Sequence, residues 1–171
     1  FPQMADSTLL TWSPEGVYLA VLLDQGFLCV LDTTTSRQII QVRLSPATGS
    51  QRFGTVAWSP KSQYLAYYDS EQVALIDVQG GEARPLLSVA AVTQLSWSPG
   101  GQYLAVMAGD CSHSRLCSIQ ILDERGNLIC QQALAEIYQY GGLEHWLDEE
   151  TLTWGYGCGT GCYGHQVLDV V

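Results

Sequence analysis

Apolar and polar positions alternate along this chain in short bursts. No segment sustains the roughly 3.6-residue period of an amphipathic helix. "TLLTWS" alternates and stops at "SPEG", where Pro at a turn's second position and Gly at its fourth suit a type I turn. "VYLAVLL" then runs apolar to "DQG", a Gly-containing hairpin connection, and "FLCVLD" follows. After "TTTS", "RQIIQVRL" completes a fourth strand. The next stretch repeats the plan as "TVAWS", "QYLAYY", "QVALIDV" and "ARPLLS". Pro85 places the last of these on an outer edge, since proline cannot donate to a central ladder. The one helix-like candidate is the short "ALAEIYQYGG".

The plan recurs in register. Trp12, Trp58, Trp97 and Trp146 anchor four copies at a period of about 40–50 residues, the range of propeller blades. A second anchor, an aliphatic residue plus Asp, closes the third strand of each: Leu31-Asp32, Ile76-Asp77, Leu122-Asp123 and Leu168-Asp169. The expected fold is therefore all-β. It is a β-propeller repeat of about four blades with four antiparallel strands each, the last blade incomplete. The copies cover roughly 8–45, 53–88, 93–134 and 143–171 of a single repeat domain spanning 1–171. The near-continuous apolar inner strands fit blades covered on both faces. Each Trp is expected to pack between blades with its indole N–H on a local partner. Four blades fall short of the six to eight of most such rings. A longer parent chain, or two copies sharing one ring, would cover the edges left open.

"WSPEGVYLA", "WSPKSQYLA" and "WSPGGQYLA" resemble the W-S-P-D-G-x-x-L-A motif of TolB-like and WD-repeat propellers. The resemblance covers nearly the whole chain. It departs from true WD repeats in two respects: no Gly-His dipeptide precedes the blades, and Leu-Asp or Ile-Asp replaces Trp-Asp. The TolB-like group is the better match. The resemblance implies a protein-binding platform and passes no catalytic motif to these positions.

Charge narrows the partners. Lys plus Arg total 7 against 17 Asp plus Glu, a net charge of -10. Nucleic acid and anionic lipid are bound through clustered cations, and no such cluster is present. No apolar run reaches the roughly 20 residues of a bilayer span. The chain starts "FPQMADST", without an initiator Met or a signal-like core, as a processed product or an excised piece would.

The third and fourth copies are longer between Trp and Asp, and the extra residues fall between the second and third strands. There stand "GDCSHSRLCS" and "GYGCGTGCYGH". Equivalent connections of adjacent blades share one rim. The expected recognition surface is thus the pair of loops 109–118 and 155–165, with His113, Arg115, Tyr156, Tyr163 and His165 as contacts. Sequential disulfides, Cys111–Cys117 and Cys158–Cys162, account for the four cysteines without a metal. A zinc site is the alternative, although C-x-H-x3-C and C-x3-C-x2-H are not zinc-finger spacings. Paired cysteines imply an extracellular or periplasmic compartment. Cys29 and Cys130, inside apolar runs, read as buried free thiols.

No nucleophile elbow, zincin motif or phosphate loop followed by a helix occurs, so no catalytic residue, cofactor or metal is expected. "WLDEE", with Asp148, Glu149 and Glu150, falls where "SPEG" stands in the first copy and reads as a solvated turn. His145 reads as a packed or edge histidine. The expected function is a non-catalytic module for protein binding or self-association. The alternatives are the propeller portion of a larger enzyme, such as a TolB-like-propeller peptidase, and a structural subunit of an assembly.

Overall fold

The computed structural model describes residues 7–23, 26–45, 55–109, 117–134, 142–157 and 163–171. Cys111, His113, Arg115, Cys158 and Cys162 lie outside them, as do residues 135–141 of the helix candidate. Among the described residues there are strands and turns and no helix, so none that is long and apolar enough to cross a membrane.

Each copy forms its own antiparallel sheet. The first contains β1 (Ser7–Trp12), β2 (Tyr18–Leu23), β3 (Phe27–Asp32) and β4 (Arg37–Arg43), in that order. The second contains β5 (Val56–Trp58), β6 (Tyr64–Tyr68), β7 (Gln72–Asp77) and β8 (Glu82–Ser88), with Pro85 on the outer strand as expected. The third contains β9 (Val92–Trp97), β10 (Tyr103–Ala108), β11 (Ser118–Asp123) and β12 (Leu128–Ala133). The fourth has three strands: β13 (Gly142–Trp146), β14 (Thr151–Gly157) and β15 (Tyr163–Asp169).

The chain divides into two compact units, Phe1–Ser88 with the first two sheets and Val89–Val171 with the last two. In the first unit, Ala20, Leu22, Leu28 and Val30 of the first sheet meet Leu65, Tyr67, Ala74 and Ile76 of the second. In the second unit, Ala105, Met107, Ile119 and Ile121 of the third sheet meet Leu152, Trp154, Leu168 and Val170 of the fourth. The middle strands bury residues of both parities, which is why "VALI" and "YLAV" read as unbroken apolar runs.

The Ser-Pro of the repeat is a turn device. Ser13, Ser59 and Ser98 are buried. Each donates its backbone N–H to the carbonyl of Tyr18, Tyr64 or Tyr103. Each hydroxyl accepts the N–H of that same tyrosine, at 3.1, 2.9 and 2.9 Å. The residue three positions on folds back onto the serine carbonyl with positive φ: Gly16 at 72°, Ser62 at 56° and Gly101 at 79°. Only Ser62 lacks glycine's freedom there. Its hydroxyl has a use, accepting the Glu15 N–H of the neighbouring turn at 3.2 Å.

The repeated Asp closes the other hairpin. Asp32 Oδ1 accepts the backbone N–H of Thr34 and Thr35, Asp77 Oδ1 those of Gln79 and Gly80, and Asp123 Oδ1 those of Arg125 and Asn127. These are Asx-type turns, so both sequence anchors are structural.

The tryptophans diverge. Trp58 stacks on Tyr18 with ring centroids 6.3 Å apart, and its Nε1–H donates to the Thr11 carbonyl. Trp97 is buried, and Trp146 packs against the second unit's core with its Nε1–H unpartnered. Trp12 departs from the expected packing and is 57% exposed. It stands on the face of β1 opposite the one that meets the second sheet, so that core cannot cover it.

Candidate functional site

Pair register aligns the four sheets residue by residue. Tyr18 faces Asp32, Tyr64 faces Asp77, Tyr103 faces Asp123 and Thr151 faces Asp169. Two and four residues along from these pairs, four side chains project from one face. They are Ala20, Leu22, Leu28 and Val30 in the first sheet, and Ala66, Tyr68, Val73 and Leu75 in the second. The third sheet has Ala105, Met107, Ile119 and Ile121. All twelve are buried. In the fourth sheet the same positions hold Thr153, Gly155, His165 and Val167. His165 and Val167 are exposed there.

This altered face carries a hydrogen-bonded cluster. Tyr163 Oη donates to Glu144 Oε1 at 2.7 Å, and His165 Nδ1 lies 2.7 Å from Glu144 Oε2. An ionised carboxylate only accepts, so the histidine proton sits on Nδ1, and in the neutral ring Nε2 keeps its lone pair. The Tyr163 and His165 rings meet edge to face, 5.0 Å between centroids at 86°. The tyrosine hydrogen bond, then the histidine one, holds Glu144 below the usual carboxylate range. The same bond from Tyr163 to Glu144 pushes the phenol up.

Local backbone geometry creates the cluster. Leu143 pairs with Trp154 but His145 pairs with Thr153, so Glu144 is the extra residue of a β-bulge. The bulge lets Leu143 and Trp146 both face the core while Glu144 reaches the opposite face. Gly155 is the floor: a Cβ there would lie 2.5 Å from both Glu144 Oε1 and Tyr163 Oη. Gly164 makes the corresponding room on the core side, where a Cβ would lie 2.5 Å from Tyr156 Cζ.

The expected site residues separate accordingly. Tyr163 and His165 stand together, exposed, at the start of β15. Tyr156 does not join them. It is half-buried on β14, packed on Trp154 at 5.7 Å and against the core. Cys117 belongs to the core of the second unit rather than to a loop tip, and Cys29 and Cys130 are free thiols. Cys29 is buried as expected, and burial pushes its thiol up. Cys130 is half-buried. The second connection is shorter than 155–165, because β14 runs to Gly157 and β15 starts at Tyr163, whereas the first spans 109–117. His145 is exposed on β13, an edge strand. Among the described residues, no group of three His, Cys, Asp or Glu is placed to hold a metal ion.

"WLDEE" is more than a solvated turn. Asp148 Oδ1 accepts the Glu150 N–H, as a turn residue should. Glu149 reaches the Ser-Pro turn of the third sheet, accepting from the Ser98 hydroxyl and from the N–H groups of Gly100 and Gln102. It replaces the link that Ser62 makes in the first unit, since Gly100 stands where Glu15 does.

No family model matches the sequence, and no curated protein does. Solved structures match the backbone. A eukaryotic initiation factor aligns with TM-score 0.67 and 14% identity, over 97% of this chain and 43% of that one. The β-propeller domain of Myceliophteria thermophila Cps50 (Swd1) aligns with TM-score 0.61 and 16% identity, over 88% of this chain and 49% of that one. This chain has a β-propeller fold. U3-55K gives TM-score 0.67 and 16% identity, over 99% of this chain and 53% of that one. The chain thus spans about half the length of the structures it matches, and identity this low speaks to fold alone.

Proposed function

We propose that this chain is a non-catalytic propeller module that binds a protein partner through the rim formed by the β10–β11 and β14–β15 connections. The observation that carries the reading is the break in the repeat at β15. Two of the four positions that are apolar and buried in three sheets are exposed in the fourth, His165 and Val167, and His165 joins Glu144 and the exposed Tyr163 in a hydrogen-bonded polar cluster. Exposed Tyr is enriched in protein recognition, and ring pairs held by hydrogen bonds lose little freedom on binding. Disulfide pinning of the loops, Cys111 to Cys117 and Cys158 to Cys162, and an extracellular or periplasmic site of action belong to the same proposal. They rest on the sequential cysteine pairs. The whole chain acting as one repeat domain rests on the four copies in register.

The test is site-specific photocross-linking in the native organism, with a benzoyl-phenylalanine at Tyr163 and, as a control in the first unit, at Glu82 on β8. One protein captured reproducibly at Tyr163 and not at Glu82 is the expected result. Replacing residues 112–116 by Gly-Ser of equal length should abolish that capture without changing the thermal midpoint. Capture at Glu82 alone would contradict the reading.

A further inference from the structure

We infer that the outer face of β13–β15 takes a basic segment of the partner protein, an arginine or lysine side chain seating against Tyr163, His165 and Glu144. The inference rests on the protein-binding reading above and names the chemistry of its partner. Three observations carry it.

First, this face differs from the one that receives a sheet in the third copy. Ala105, Met107, Ile119 and Ile121 receive the fourth sheet, whereas among their equivalents Thr153, Gly155, His165 and Val167 only Val167 is a large apolar side chain. Secondly, the cluster presents acceptors and π-electrons. Tyr163 and His165 spend their donors on Glu144. What remains outward is the His165 ring edge and a phenol ring that is 66% exposed, with the half-buried Glu144 carboxylate behind them. A cation over such a ring beside a carboxylate is favoured by both groups. Thirdly, the chain's charge of -10 attracts a basic partner and repels an acidic one.

A blocked triarginine peptide and its triglutamate counterpart test this by fluorescence anisotropy on the full chain. The proposal expects triarginine to bind and triglutamate not to. Y163A and E144Q should each weaken binding about fivefold, while Y163F, which keeps the ring, retains most of it. E82Q removes the same charge from the other unit and should leave affinity within about twofold. Circular dichroism checks that each variant is folded; if Y163A is not, the E144Q and E82Q pair decides alone. Equal weakening by E144Q and E82Q would mean diffuse charge attraction and overturn the basic-segment assignment. Absence of triarginine binding would overturn it too. Neither result touches cross-linking at Tyr163, so the two readings fail separately.

Discussion

Single side chains in this protein do different work at equivalent positions, and the tryptophans show it most clearly. Trp58 and Trp146 occupy the same place in their units, yet only the Trp58 indole N–H has an acceptor, the Thr11 carbonyl. Replacing either ring by Phe removes similar apolar area. W58F also strands a carbonyl that had a donor, whereas W146F removes a buried donor that had nothing to bind. W58F should therefore cost about 1 kcal/mol more than W146F in chemical denaturation. Equal costs would mean the Trp58 bond contributes nothing net. A second effect at this scale is electrostatic. Hydrogen bonds from the Thr34 hydroxyl and then the Thr35 backbone lower Asp32 from 3.8 to about 2. A group depressed in the folded state contributes stability above its unfolded pKa and loses it as pH falls through the folded one. The wild type should thus lose thermal stability between pH 4 and 2 more steeply than D32N. Parallel acid slopes for the two proteins would refute this.

At the scale of elements, the repeated words of the sequence are hairpin chemistry. The Ser-Pro turn needs a buried hydroxyl for the tyrosine N–H and a residue with positive φ to close it. Ser62 meets the second need poorly and compensates with its bond to Glu15. S62A keeps the left-handed strain and loses the bond; S62G loses the bond and relieves the strain. S62A should be the less stable by about 1 kcal/mol, read from urea midpoints. The strands, their order and both anchors were legible in the sequence because each depends on local alternation and turn residues. Pro85 was legible for the same reason, since its missing donor confines it to an edge. Glu144 was not legible. Its position depends on a bulge between Leu143 and His145, and only pairing with β14 reveals that register shift. Glu149 was hidden likewise, because its partners Ser98, Gly100 and Gln102 lie in another copy.

Each unit builds its core by one packing rule, and the outer face of the fourth sheet departs from it. A sheet offers an apolar quartet to the next sheet, as Ala20, Leu22, Leu28 and Val30 do in the first unit and Ala105, Met107, Ile119 and Ile121 in the second. The fourth copy keeps the frame and changes the quartet. The change could be read only after the sheets were aligned through their Tyr–Asp and Thr–Asp pairs, because "TLTWGYG" still alternates like a strand that packs on both faces. The propeller fold was thus legible in the sequence, whereas the polar face was not. The cluster on that face also explains why two of its aromatic candidates part company, Tyr163 facing outward and Tyr156 inward. The most direct measurement is the thermal and urea unfolding of I121E and V167E side by side. Ile121 and Val167 are equivalent positions, so an added carboxylate has the same place in each sheet. I121E should lose about 3–5 kcal/mol by burying an unpaired charge, while V167E should stay within about 0.5 kcal/mol of wild type. A V167E protein as damaged as I121E would show that the fourth face is packed like the others, and would contradict the account.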